Sequence, residues 1–332
     1  MGTRIVPLSA AFTATLLTAT LWAQEPSPPA ASNLLAQTKW IKLEVVGGRI
    51  VPRVTRCCQS RYEAEAVAAV DSRQSLSVDW SPGAVGLRYE ETSAARRLLW
   101  TVSQTGNVTI SCFGSADRVE VQYHQPPAGQ VSLRIGGKSA RTVSASDMWQ
   151  LALVFHEECH EQLFPLLSRL REDWDLVSQV DQVEAALFRQ AGTDVIGQRQ
   201  RWQREVEGLA GPSFAGRQAA DQALRSGGPA VLAFLRQLDE HELDGEQRRR
   251  VRAIVADLSD GHADSPPLVA DWFLADNRVW LALLSRGQLE QRIAAADHLS
   301  KLCRRSLLFD PAAPPQQRTA QLAELTAKLA QP

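Results

Sequence analysis

The chain has 332 residues, a formal net charge of −1 and 44% hydrophobic residues. That length and apolar content suffice for a real core in one or two domains. A charge balance this near zero argues against a dedicated nucleic-acid binder, and five cysteines are too few for a disulfide-dense scaffold.

Arg4 is the only charge ahead of an apolar and small-residue run from Ile5 to Ala23, and Leu21-Trp22-Ala23 then meets Gln24-Glu25-Pro26. This pattern predicts a secretory signal peptide over 1–23, cut after Ala23, with an uncleaved N-terminal membrane anchor as the alternative. The expected location is periplasmic or extracellular. No cysteine follows the run, so no lipoprotein anchor is expected, and no later segment is apolar for long enough to span a bilayer. Residues 24–37, rich in Pro, Ala and Ser, read as a linker.

Residues 38–144 carry the strand signals. Trp40 to Val46 alternates and meets the turn Gly47-Gly48, after which Arg49 to Thr55 returns as a hairpin partner. Ser75 to Trp80, Val85 to Tyr89, Leu98 to Val102, Val108 to Phe113, Val119 to Tyr123 and Val131 to Ile135 are further strands, while Ala-rich Glu63 to Val70 is ambiguous between strand and helix. Short strands at this spacing predict an antiparallel β sandwich or barrel-like domain. Tyr89, Tyr123 and several arginines can line a binding face for a glycan or peptide, or stand as ordinary strand residues. Cys57 and Cys58, adjacent on a strand, face opposite sides, so one can pair with Cys112; the alternative leaves every cysteine, with Cys159 and Cys303, a thiol. The odd number leaves at least one unpaired. By charge, 38–145 is about +5 and the remainder from 146 about −6, a split that helps two halves dock.

From Asp147 the pattern turns helical. Met148, Leu151, Phe155, Cys159, Leu163, Leu166 and Leu170 recur at steps of three and four, and 145–198 reads as a helical connector. Within it, His156-Glu157-Glu158-Cys159-His160 fits H-E-x-x-H. On a helix, His156 and His160 share a face and can reach one zinc, with Glu157 as general base. Against a zincin peptidase stand the charged Glu158 and the absence of the metzincin continuation, since Gln162-Leu163-Phe164 follows. A gluzincin would take a later glutamate, and Glu172 and Glu184 are the nearest. The blander alternative is a helix flank with partly exposed histidines.

Residues 199–310 break into short helices. Trp202, Val206 and Leu209 precede a break at Gly211-Pro212-Ser213, where Ser213 is a candidate N-cap; Gly227-Gly228-Pro229 separates the next two helices, and Asp244 can cap another. Each apolar stripe is too small to stand alone, so the helices must stack. Arg217-Gln-Ala-Ala-Asp-Gln-Ala-Leu224 returns as Arg292-Ile-Ala-Ala-Ala-Asp-His-Leu299. Phe214, Arg217, Ala220, Leu224, Gly228, Pro229, Leu235 and Leu238, followed by basic Arg248-Arg249-Arg250, resemble the HEAT-like helical repeats, most clearly over 199–258 and faintly to 310. The acidic residue that usually precedes the Ser-Phe pair is replaced by Gly211-Pro212. The resemblance implies protein–protein interaction. Residues 311–332 hold a Pro-rich break and a final Ala-rich helix.

The reading is therefore α+β: an antiparallel β sandwich or barrel-like domain followed by an all-α domain with HEAT-like repeats. The expected role is non-catalytic interaction or scaffolding outside the cytoplasm, with no cofactor, no nucleic acid and another protein as partner. A zinc metallopeptidase using His156, Glu157 and His160 is the alternative, and a glycan- or peptide-binding β module is a third reading.

Overall fold

The computed structural model describes residues 34–329 apart from 39, 56–60, 70–71, 82, 115–117, 137–139, 172, 192–194, 237, 240 and 260–263. The predicted signal peptide, most of the linker, Cys57, Cys58 and Glu172 lie outside the described residues.

The chain is α+β, with an antiparallel β region followed by helices. A short helix α1 (Leu34–Gln37) leads into the hairpin of β1 (Ile41–Val46) and β2 (Arg49–Val54), whose turn glycines Gly47 and Gly48 have φ of 60° and 72°. Two consecutive positive φ angles match the twist of a two-residue hairpin turn, and glycine adopts them without steric cost. Eight strands then run as one meander in sequence order: β3 (Arg61–Ala69), β4 (Ser72–Ser81), β5 (Ala84–Thr92), β6 (Arg97–Val102), β7 (Val108–Phe113), β8 (Val119–Gln125), β9 (Val131–Ile135) and β10 (Arg141–Ala145). Residues 63–69 of the ambiguous stretch lie in strand β3, residue 70 is outside the described residues, and β10, whose Thr142-Val143-Ser144-Ala145 is weakly apolar, had no place among the expected strands.

One ladder crosses the whole sheet: Ala64, Leu76, Tyr89, Trp100, Ile110, Tyr123, Leu133 and Val143 stand opposite one another from β3 to β10. From Leu76 onward all are buried, so this face is the core side. The neighbouring ladder, Glu65, Ser75, Glu90, Leu99, Ser111, Gln122, Arg134 and Thr142, is largely polar and forms the other face. In place of a second large sheet, the core side is covered by α1 against β4, by the hairpin and by helices packed on β8–β10. The buried Gln125 of β8 completes the hairpin's seat, accepting from the Ile50 amide at 2.8 Å and donating to the Ile50 carbonyl at 3.0 Å.

The helical part opens with α2 (Met148–Val154), capped by Asp147, whose carboxylate accepts the Gln150 amide. Helix α3 (His156–Glu158), a π-helical turn over Cys159–Leu163, and α4 (Phe164–Leu170) follow. Pro165 is the second residue of α4, directly after the π turn, and the backbone stays helical through it. Then come α5 (Leu176–Gln190), α6 (Val195–Gly208), α7 (Phe214–Ser226), α8 (Gly228–Arg236), α9 (Gly245–Ser259), α10 (Pro266–Phe273), α11 (Asn277–Leu283), α12 (Leu289–Cys303) and α13 (Pro315–Leu329). Ser213 caps α7 through the Gly216 amide at 3.0 Å, and Asp244 with Gln247 forms a reciprocal capping box on α9.

Two apolar cores result. The larger runs without interruption from the sheet and hairpin through α2, the π turn, α4, α5 and α10–α12. The smaller belongs to α6–α9 and gathers Val206, Leu209, Ala220, Leu224, Val231, Phe234, Leu235, Val251 and Ile254. Gly208 lets α6 and α7 close up: a side-chain carbon there would stand 3.1 Å from Ala220 Cβ. Buried Asp221 of α7 then meets Arg225 at 2.5 Å and Arg250 of α9 at 3.6 Å. Cys112, Cys159 and Cys303 are free thiols, the first two buried, and the partners considered for Cys112, Cys57 and Cys58, lie outside the described residues.

Candidate functional site

The H-E-x-x-H stretch does not lie on one regular helix. Phe155, at φ −113° and ψ 53°, interrupts the helical backbone ahead of His156, and the wider π turn begins at Cys159. The stripe residues Cys159 and Leu163 stay fully buried across that turn, which keeps the segment docked on β8 and leaves the histidines outward. A π turn inside a helix re-aims side chains without breaking the backbone ladder. His156 and His160 do share a face: their rings lie 6.0 Å apart and within 26° of parallel. His156 is partly buried, while His160 and Glu157 are exposed.

Glu184, from α5, reaches this face. Its carboxylate lies 4.0 Å from His156 Nδ1, and that nitrogen has no hydrogen-bond partner among the described residues. Glu184 is buried and paired with Arg286, whose guanidinium also donates to the Leu153 carbonyl. Burial holds the Glu184 carboxyl above its ordinary range, with Arg286 pulling the other way. Burial also lowers the His156 pKa, helped by the charges of Arg286 and His160. His156 is therefore biased toward the neutral form, the one that ligates metals. No group of three or more His, Cys, Asp or Glu side chains is placed to hold a metal among the described residues. Glu184, one of the two glutamates considered as a third ligand, has its carboxylate paired with Arg286.

The residues on which the repeat expectation rests take distinct places. Ala220, Leu224 and Leu235 are buried in the small core, whereas Phe214, at the first residue of α7, is 67% exposed. Pro229 is the second residue of α8. Arg217 turns back along its own helix and donates to the carbonyls of Gly211 and Pro212, six and five residues earlier. In α12, Arg292 donates to the carbonyls of Arg286 and Gly287 at the same offsets, and adds a bond to Pro311. Arg248 reaches the Leu243 carbonyl and Arg318 the Ala313 carbonyl, again five residues back. The correspondence of α7 and α12 extends along the helix: Ala220 and Ala295 are buried, as are Leu224 and Leu299, and at the first position Phe214 and Leu289 are both exposed. Ile293 adds a second exposed apolar side chain one turn further along α12. Connections between helices leave carbonyls unpaired, and a guanidinium supplies several donors at once, which is the physical reason for arginine at this place.

Tyr89 and Tyr123 do not line a binding face. Both are fully buried in the core ladder, and Tyr123 donates to Gln125 at 2.9 Å. The arginines of the sheet are largely engaged on its polar face, Arg88 with Glu90 and Arg61 with Glu63. A recess of about 520 Å³ opens between the hairpin turn, the β8–β9 turn, the start of α2 and α9–α10, lined by Arg49, Asp147 and Trp272 among others. Its charged groups are already committed: Arg49 donates to the Pro126 and Gly129 carbonyls, and Asp147 caps α2.

Sequence reasoning passed over Asp264 and Arg286. Asp264 accepts from the Gly47 and Gly48 amides and from Trp149 Nε1, and no local pattern marks a loop aspartate whose partners lie so far away in the chain. For Arg286, its place six residues ahead of Arg292 was the only available signal.

No protein-family model, curated protein or solved structure matches this chain.

Proposed function

We propose that the protein is an exported, non-catalytic interaction or scaffolding protein whose helical part is built from HEAT-like repeats and binds another protein. The observation that carries this reading is the matched pair of helices α7 and α12. Both use the same arginine bonds to the preceding connection and the same buried alanine and leucine, and both leave an apolar side chain, Phe214 or Leu289, exposed at the start. Buried positions that recur are what stacking requires; exposed apolar positions that recur are not needed for stacking and suit a partner surface. The engagement of Glu184 by Arg286 supports this reading over the peptidase, because a catalytic zinc site takes three protein ligands and a water. Among the described residues no helix is long and apolar enough to cross a membrane.

The test is photo-crosslinking in the native cells, with a crosslinking residue at Phe214 or Leu289 and a control at Ser77 on the sheet. The reading expects one defined adduct from both helix positions and none from the control, with Phe214→Asp abolishing it. Equal or absent adducts at all three positions would count against it. N-terminal sequencing of the protein recovered outside the cytoplasm, beginning at Gln24, tests the export.

A further inference from the structure

We propose that His156 and His160 form a two-histidine chelate for a divalent transition-metal ion of the copper and zinc type, with the Glu184 carboxylate close to the His156 ring. The inference does not depend on the scaffolding reading, and it describes binding rather than hydrolysis.

Three observations carry it. The rings are 6.0 Å apart and nearly parallel, close enough for small side-chain rotations to bring one nitrogen of each to a common ion. The exposed His160 leaves the site open, so water can fill the remaining positions. The Glu184 carboxylate lies 4.0 Å from His156 Nδ1, beyond hydrogen-bond reach, and an ion held at the other ring nitrogen leaves Nδ1 as the N–H on the carboxylate side. A small ring rotation on binding closes that gap to the hydrogen bond usual around a metal-bound histidine, which fixes tautomer and ring orientation.

Charge nearby is mixed. Glu157 and Asp181 lie on the favourable side of the balance, and Arg286 opposes an incoming cation while itself neutralised by Glu184. Because Arg286 occupies Glu184, the protein supplies two ligands rather than three, and the ion is held reversibly. Imidazole pairs of this kind follow the order copper above zinc above manganese.

The experiment uses the untagged protein, titrated separately with Cu²⁺, Zn²⁺ and Mn²⁺ by calorimetry. One copper or zinc ion per chain is expected at a micromolar-range dissociation constant (about −8 kcal/mol), with manganese much weaker. His160→Ala, on an exposed side chain, should weaken binding at least about tenfold without altering the circular dichroism. Electron paramagnetic resonance of the copper form should show two coordinated nitrogens, and Glu184→Gln should weaken the ion while leaving that count unchanged. Binding unaltered by His160→Ala, fewer than two nitrogens, or no saturation below about 1 mM (about −4 kcal/mol) would overturn the proposal.

Discussion

The Asp264 carboxylate accepts the Gly48 amide at 2.7 Å across 216 positions of the chain. The same carboxylate accepts the Gly47 amide at 2.7 Å and the Trp149 indole N–H at 2.8 Å, and the Asp264 amide donates to the Val45 carbonyl. One loop residue of the helical part thus ties the first hairpin to α2. Asp264→Ala strands three donors at once and should lower the unfolding free energy by about 3 kcal/mol, read from urea midpoints. Gly48→Ala attacks the same joint from the other side, because its φ is 72° and the new carbon would lie 2.6 Å from Asp147 Cβ. It should also cost about 3 kcal/mol, and the double variant should cost less than the sum, since both act on one turn.

Arg217 and Arg292 share a bonding pattern but not a setting. Arg292 is 7% exposed and makes three carbonyl bonds, while Arg217 is less buried and makes two. Arg292→Met should therefore destabilise the protein by about 3 kcal/mol and Arg217→Met by about 1 kcal/mol. Equal losses in thermal unfolding would show that burial is not what separates them.

Asp271, on α10, is half-buried, and burial alone pushes its carboxyl above the ordinary 3.8. The folded state holds this proton more tightly than the unfolded state, so stability from the protonated form is complete below pH 3.8 and is lost as pH rises through the folded value. Asp271→Asn removes the charge without changing shape. Its melting temperature should exceed that of the parent at pH 7, and the difference should vanish as pH falls below 3.8.

Phe214→Asp and Leu289→Asp change exposed side chains at the starts of two helices. Each should move stability by no more than about 0.5 kcal/mol in chemical denaturation. An acidic residue in the first turn is if anything favourable to the helix dipole. A large loss would mean that these side chains are packed in solution, and the binding surface would have to be sought elsewhere.

Much of the β region was legible because a one-sided sheet writes its burial as alternation. Leu98, Trp100 and Val102 in Arg97–Val102 alternate onto the core face as that period requires, whereas Tyr123, offered for a binding face, is buried in the core ladder. The same alternation did not reveal β10, whose core-side residues Val143 and Ala145 are small, nor what lies over the sheet. Ser213 and Asp244 were legible as helix caps because their bonds are local, and Asp147 marked the start of the helical pattern without being read as the cap it is. The pairing of His156 with His160 was legible from a spacing of four. The approach of Glu184 was only one of two candidates in sequence, and its capture by Arg286, 102 residues away, had no signature at all.

What the sequence by itself determined is periodic and local: strands with one apolar face, short helices with their caps, and the echo of Arg217–Leu224 in Arg292–Leu299. These follow from side-chain spacing and from bonds within a few residues, which any stretch of chain carries with it. What only the tertiary structure decided is which apolar faces meet and which charges find each other. It set one core running from the sheet to α12 and another within α6–α9, locked the hairpin through Asp264, and paired Arg286 with Glu184 beside the histidine turn. Such pairings depend on the closure of loops of a hundred residues and more, and burial selects among them only when the whole chain has packed.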